Sequence, residues 1–327
     1  MENRRTKVVI IGAGFVGSSV AFAIVMYRTA DELVLIDADK EKAIGVELDI
    51  NHGICFMGQM KVYAGDYPDI VDADVIVITA GANRKPGETR LDLARKNMAI
   101  MQDITFNIIK YYNRGVILVV SNPVDVLTYF ASRWSGLPEG RILGTGTVLD
   151  SARFRYLLGQ KLDVDVKNVH GYIIGEHGDS QLPAWSATHI AGIQVDNYCQ
   201  NTGISFDMEE RTKLANEVMT SGAMIIRYKG VTNYGIAVAV NTLVETISKN
   251  QHTIRTVSAP VNGKYGISGV SLSLPSIVGS EGIIRVIEPE LTMDEIEKLR
   301  RSANQITATQ DELKRLGYDT NRLMITC

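Results

Sequence analysis

Cysteine is scarce in this chain of 327 residues: Cys55, Cys199 and Cys327 lie far apart and in no metal-ligand spacing. That argues against a disulfide framework and a thiolate metal centre, and it points to a reducing compartment, the cytoplasm. Long apolar runs are missing as well, and none approaches the roughly 20 residues a membrane helix needs. Val8-Val9-Ile10-Ile11, preceded by Arg4, Arg5 and Lys7, has the outline of a signal peptide. The run is too short and passes straight into glycines, so that reading fails. Charge of one sign is also lacking. A net charge of −3 offers no footprint for nucleic acid or an anionic membrane. No internal repeat, low-complexity segment or charged tail interrupts the chain. What remains is an ordinary globular composition, long enough for two separate cores.

The first half alternates strands and helices. Lys7 to Ile11 reads as a buried strand, followed by Gly12-Ala13-Gly14-Phe15-Val16-Gly17 and a helical stretch from Ser18 to Met26. A second apolar run, Leu33 to Ile36, ends in Asp37. This is a G-x-G-x-x-G turn between strand and helix, with an acid at the next strand end. Gly12 allows the tight turn, Gly14 lets backbone approach a pyrophosphate, and Gly17 lets helix and strand pack closely. The helix N-terminus offers free N–H groups to phosphates. Asp37 can accept from ribose hydroxyls and would repel a 2′-phosphate, which favours NAD over NADP. Further strands are expected at Asp74 to Thr79 and Val116 to Val120, and helices at Glu41 to Ile50 and Leu93 to Tyr112. The last of these carries Ala94, Met98, Met101, Ile104 and Ile108 on one face.

This alternation predicts an α/β fold with a doubly wound parallel sheet, the Rossmann arrangement, followed by an α+β substrate domain. The boundary falls where the alternation weakens, giving domains 1–145 and 146–327. Ligands bind such sheets beyond the carboxyl ends of their strands. The loops after Thr79 and Val120 should therefore border the site. The first, Ala80 to Arg90, is cationic and glycine-hinged, as a closing lid would be, although a solvated surface loop has the same composition. In the second, Asn122 either touches ligand or serves turn chemistry before Pro123.

In the second half, Asp150 and Arg153 are three apart and share a face of an expected helix, whereas Arg155 points roughly the other way. A guanidinium matches a carboxylate with two parallel hydrogen bonds. Tyr172-Ile173-Ile174 reads as a buried strand that breaks into Gly175-Glu176-His177-Gly178-Asp179-Ser180. Histidine titrates near neutrality, so His177 at a glycine-rich strand end suits proton transfer. Trp185 to Gly192, Asp207 to Arg227 and Ile236 to Ser248 look helical, and Thr253 to Ala259 and Val270 to Leu274 look extended. Thr292-Met293-Asp294-Glu295 is a capping box before a final amphipathic helix.

A dinucleotide turn, a His, an Asp and an Arg together suggest hydride transfer to the carbonyl of a small 2-oxo acid. With Gly87-Glu88-Thr89-Arg90, Asn122-Pro123-Val124-Asp125 and Leu149-Asp150-x-Ala152-Arg153 added, the chain resembles the bacterial L-lactate dehydrogenases of the L-lactate and malate dehydrogenase family. The resemblance runs over nearly the whole chain, in order. It implies that His177 is the acid and base, that Asp150 orients it, and that Arg153 clamps the substrate carboxylate. It implies that Arg90 polarises the carbonyl, that Asn122 bonds near the reacting carbon, and that Thr232 lines the substrate pocket. Beside Gly12, Gly14, Gly17 and Asp37, the implied cofactor contacts are Val16, Lys42, Tyr67, Gly81, Ala82, Ser121, Asn122 and Thr145. No metal is called for.

One departure bears on specificity. Arg84 stands where lactate dehydrogenases typically carry Gln and malate enzymes carry Arg. Over a methyl group Arg84 would lose hydration without a partner, whereas oxaloacetate would supply its counter-ion. Raised activity on oxaloacetate is therefore expected. The resemblance further implies a homotetramer and fructose 1,6-bisphosphate as an effector held by Arg155 and His170. The rival class is a catalytically silent NAD-binding regulator, which would have no need of His177, Asp150 and Arg153 together.

Overall fold

The computed structural model describes residues 5–82, 87 and 90–319, with the side chains of Arg90 and Leu91 outside that description. In chain order the strands and helices begin with β1 (Lys7–Ile11), α1 (Phe15–Tyr27), β2 (Glu32–Ile36), α2 (Lys40–Met57), β3 (Lys61–Ala64) and β4 (Val75–Ile78). Next come α3 (Arg90–Tyr111), β5 (Val116–Val119), α4 (Val124–Ser135), β6 (Ile142–Gly144) and α5 (Val148–Lys161). The strands β7 (Val169–His170), β8 (Ile173–Ile174), β9 (Leu182–Pro183), β10 (His189–Ile190) and β11 (Ile193–Gln194) are short. The chain continues with α6 (Val195–Thr202), α7 (Met208–Lys229), α8 (Tyr234–Ser248), β12 (Thr253–Asn262), β13 (Ser268–Gly279), β14 (Gly282–Val286) and α9 (Met293–Arg315).

Nine strands form one sheet in the order β14-β13-β12-β6-β5-β4-β1-β2-β3. The six strands from the first half are parallel, and the order reverses between β1 and β4. That reversal opens a crevice beyond the strand ends. Both faces of β1 are buried: Val9 and Ile11 join one core cluster, Val8 and Ile10 the other. On one side Met98, Met101, Phe130, Trp134 and Leu299 from α3, α4 and α9 cover the sheet; on the other, Ile24, Val240 and Leu243 from α1 and α8 do so. Each such side chain contributes roughly 1.5–3 kcal/mol by burial.

Two details depart from the sequence expectation. Trp185 to Gly192 is not a helix. It is a single 3₁₀ turn at Trp185–Ala187 followed by the β10–β11 hairpin. Ala191 and Gly192 adopt φ of 50° and 85°, which reverse the chain after two strand residues. The second concerns reach. β12 and β13 run past the expected Thr253 to Ala259 and Val270 to Leu274, and with β14, which was not expected, they extend the parallel sheet antiparallel, β12 joining β6 at Ser258 and Gly144. The sheet thus takes strands from both halves of the chain, and α8 covers it beside α1.

Candidate active site

The glycine turn is built by backbone crowding. A Cβ on Gly17 would lie 1.8 Å from Gly12 O, and one on Gly12, at φ 110°, would lie 2.5 Å from Ala80 N. Thr79 Oγ1 donates to Gly12 O at 2.8 Å. Gly14 differs: a Cβ there would meet nothing nearer than Lys42 Nζ at 3.7 Å. Gly14 also caps α1 without a side-chain hydrogen bond. The first turn of α1 is left as an open anion site. Asp37 Oδ2 accepts from Ala13 N at 2.5 Å and its Oδ1 from Asp39 N at 3.0 Å, so the acid is held by the backbone it faces. Gly12, Gly14, Asp37, Lys42, Tyr67, Gly81 and Ala82 all line one cavity of about 750 Å³. The open cradle at Gly14 and the carboxylate beside it fit a dinucleotide.

A second cavity, of about 430 Å³, shares Thr79, Gly81 and Ala82 with the first. It is lined by Val16, Ser121, Asn122, Thr145 and Thr232, and it contains Asp150, Arg153 and His177. Gly17 lines neither and acts through packing. Arg84 lies outside the described residues. Arg90 opens α3, but its side chain is outside the description.

Asp150, on the first turn of α5, is 2 % exposed. Its Oδ2 lies 2.6 Å from His177 Nδ1, and its Oδ1 accepts from Arg153 Nη1 at 2.9 Å. Burial alone would raise the carboxyl, but the charges and hydrogen bonds of His177 and Arg153 bring it below its ordinary value. The attraction of Asp150 outweighs burial at His177 and pushes the imidazole up to about 9. The carboxylate thus favours the charged ring. With Nδ1 engaged by Asp150, Nε2 is the nitrogen left for a ligand.

The His177 turn is pinned from three distant elements. Gly175 exchanges both backbone hydrogen bonds with Ser273 of β13, each 2.9 Å. Ser302 of α9 accepts from Glu176 N at 2.8 Å. Asp125 of α4 accepts from His177 N at 2.7 Å and from Ser258 Oγ of β12 at 2.6 Å. Asp125 is fully enclosed, and burial, only partly offset by these bonds, pushes it up to about 6. The sequence showed Asp125 within a motif but assigned it nothing. Ser258 and Ser302 left no sequence signal, being 133 and 126 residues from their partners. Met219, Gly222 and Ile226 of α7, also unforeseen, complete the cavity wall.

Among the described residues, the cleft that Arg155 lines does not include His170. Arg155 shares a cleft of about 360 Å³ with Arg255, while His170 is exposed on β7 and paired in register with His189.

Comparison with known proteins finds relatives over nearly the whole chain. Residues 6–144 match the lactate/malate dehydrogenase NAD binding domain, and residues 147–316 match the lactate/malate dehydrogenase alpha/beta C-terminal domain. The L-lactate dehydrogenase of Thermoanaerobacter sp. (strain X514) is 50% identical over 307 residues, 94% of this chain and 99% of that protein. A solved L-lactate dehydrogenase from Clostridium thermocellum is 59% identical with a TM-score of 0.85, covering 95% of this chain and 100% of that one. The minor L-lactate dehydrogenase of Enterococcus mundtii, in its ligand-bound form, is 40% identical with a TM-score of 0.91, covering 94% and 98%.

Proposed function

The chain belongs to the lactate/malate dehydrogenase family, and from that premise we propose that it is an NAD-dependent L-lactate dehydrogenase, reversibly reducing pyruvate to (S)-lactate. The observation that carries this reading is the hydrogen-bonded series His177–Asp150–Arg153 in a cavity that adjoins the glycine-turn cavity.

The glycine turn, Asp37, Lys42, Tyr67, Gly81 and Ala82 would hold NAD, with Val16, Ser121, Asn122 and Thr145 around its nicotinamide end; when bound, the cofactor supplies or takes up the hydride. Arg153 binds the substrate carboxylate through its outer guanidinium edge. His177 donates its Nε2 proton to the carbonyl oxygen as the carbonyl is reduced, and neutral His177 takes that proton back from the hydroxyl in reverse. Asp150 stabilises the charged ring and fixes its orientation, the role a buried carboxylate plays beside a catalytic imidazole. Arg90 polarises the carbonyl and Thr232 borders the substrate side chain. Absorbance of NADH with pyruvate tests this directly: turnover is expected, and its absence would favour a silent NAD-binding regulator.

Arg84 favours a second activity, on oxaloacetate. Rates with both acids in the wild type and in Arg84→Gln decide it; an unchanged ratio would remove Arg84 from specificity. The effector reading gains from the cleft beside Arg155, where Arg155 Nε and Arg255 Nε are buried without a hydrogen-bond partner among the described residues. Burial and the neighbouring Arg155 charge hold the Arg255 guanidinium below its ordinary value. An anionic group such as fructose 1,6-bisphosphate would relieve both, and activity at subsaturating pyruvate should rise with it; a flat titration would refute this. Self-association as a homotetramer is supported by apolar side chains left exposed on α1 and α8, Phe15, Phe22, Met26, Tyr234 and Val238. No described helix is long and apolar enough to cross a membrane, and Cys55 and Cys199 are free thiols, which fits a cytoplasmic enzyme.

A further inference from the structure

Asn97 stands in α3 and lines the cavity of His177 and Arg153, but it has no part in the chemistry above. Its side chain is 3 % exposed, so every polar atom it carries must find a partner inside the protein. Its amide does so by joining two loops. Oδ1 accepts from Ala82 N at 2.7 Å, and Nδ2 donates to Ala82 O at 3.3 Å and to Asn122 O at 2.6 Å. Ala82 belongs to the loop at the carboxyl end of β4, and Asn122 to the loop at the carboxyl end of β5. The backbones of β4 and β5 are paired up to Ile78 and Val119. Just beyond them Val120 N bonds to Ile78 O and Ser121 Oγ donates to Ala80 O at 2.6 Å, and one step further out the Asn97 amide bridges the loops as a further peptide group would. The fit is close: a Cβ on Gly81 would lie only 3.3–3.4 Å from that amide.

The bridge matters because of what the two loops carry. Gly81 and Ala82 line both cavities, whereas Asn122 lines the inner one with His177 and Arg153. The Asn122 side chain is oriented in turn by its own Oδ1, which accepts from Val124 N at 3.2 Å. Its Nδ2 is thereby left for the cavity. We propose that Asn97 is a positioning residue for hydride transfer, registering the β4 loop against the β5 loop so that the Asn122 amide and the nicotinamide end of the cofactor keep one alignment. This rests on the dehydrogenase reading. Asn97 itself lines the cavity of His177 and Arg153, but its amide is spent on Ala82 and Asn122, and it acts through them. Misplacement of reacting groups by about 1 Å costs on the order of 10²-fold in rate.

Two variants test the idea. Asn97→Ala removes all three hydrogen bonds. Asn97→Asp keeps the volume and the acceptor for Ala82 N but loses both donations, and it covers the case in which the Ala variant fails to fold. The readouts are kcat with pyruvate, NADH affinity by fluorescence, and the primary isotope effect with NADH deuterated at the transferred position. Positioning predicts a fall in kcat of about 10- to 100-fold, NADH affinity within about threefold of wild type, and an isotope effect on kcat that rises as hydride transfer becomes the slow step. A lowered melting temperature with unchanged kcat and isotope effect would overturn the inference, leaving Asn97 a structural clamp. If wild type itself fails to turn over pyruvate or oxaloacetate, the functional reading falls and this inference with it.

Discussion

The turn that follows β1 and the turn that follows β8 both open on a glycine at positive φ, Gly12 at 110° and Gly175 at 91°, yet different parts of the chain hold them. The first is held by near neighbours in the sheet: Gly12 against Gly17, Thr79 and Ala80, and Ala13 on Asp37. The second is held by Asp125, Ser273 and Ser302, from three elements spread over the chain. A phosphate site needs only backbone N–H groups and room. A proton-transfer site must hold an imidazole in one orientation beside a buried carboxylate, and that takes support from several sides.

The comparison breaks first at His177. His177→Gln should lower kcat with pyruvate by about 10²- to 10⁴-fold while leaving NADH affinity near wild type; a loss of NADH binding of the same size would mean the two turns are not separable. Next is Gly17→Ala. Its Cβ would meet Gly12 O at 1.8 Å, a backbone contact that cannot yield cheaply, so a stability loss of about 1–3 kcal/mol is expected. NADH affinity should weaken at least about tenfold, since roughly 1.4 kcal/mol of displaced phosphate contacts suffices; calorimetry and fluorescence titration would check both. The smallest effect belongs to Ser302→Ala, which takes the acceptor from Glu176 N. A cost of about 1–2 kcal/mol is expected, with kcat down a few-fold and NADH affinity unchanged.

The same contrast explains what could be read in advance. The glycine turn, Asp37 and the helix face of Met98, Met101 and Ile104 were legible because each has a local spacing in the sequence, although Thr79 and Ala80, which also hold the turn, come from a distant strand. Asp150 and Arg153 were legible as a pair through their helical spacing, and their contact at 2.9 Å follows from it. His177 could be picked out by its residue type and its glycines, but not its supports, because Ser258 and Ser302 become neighbours only when the sheet and α9 are assembled. Trp185 to Gly192 was misread because its apolar residues fit a helical period while two left-handed residues, Ala191 and Gly192, turn the chain instead. Arg84 and the Arg90 side chain fall outside the described residues, so what the cationic loop does rests on sequence.

The two buried aspartates show why the supports matter to chemistry as well as to shape. The hydrogen bonds of Asp125 and the charge of His177 offset its burial only in part, and it rises to about 6. Asp150 has two cations, and they lower it. The sign for stability follows. The His177 contribution is complete below the ordinary 6.5 and is lost as pH rises through about 9. That of Asp150 is present above its ordinary value and is lost as pH falls through its lowered one.

One measurement reaches the coupling of His177 to Asp150 most directly: the pH dependence of kcat/KM for pyruvate reduction in wild type and Asp150→Asn. Wild type should lose activity as pH rises through about 9, where His177 gives up the proton it must donate. Without the Asp150 carboxylate the largest upward pull is gone and burial remains, so the alkaline limb should fall toward or below 6.5, with lower activity throughout. An alkaline limb that stays near 9 in Asp150→Asn would contradict the coupling.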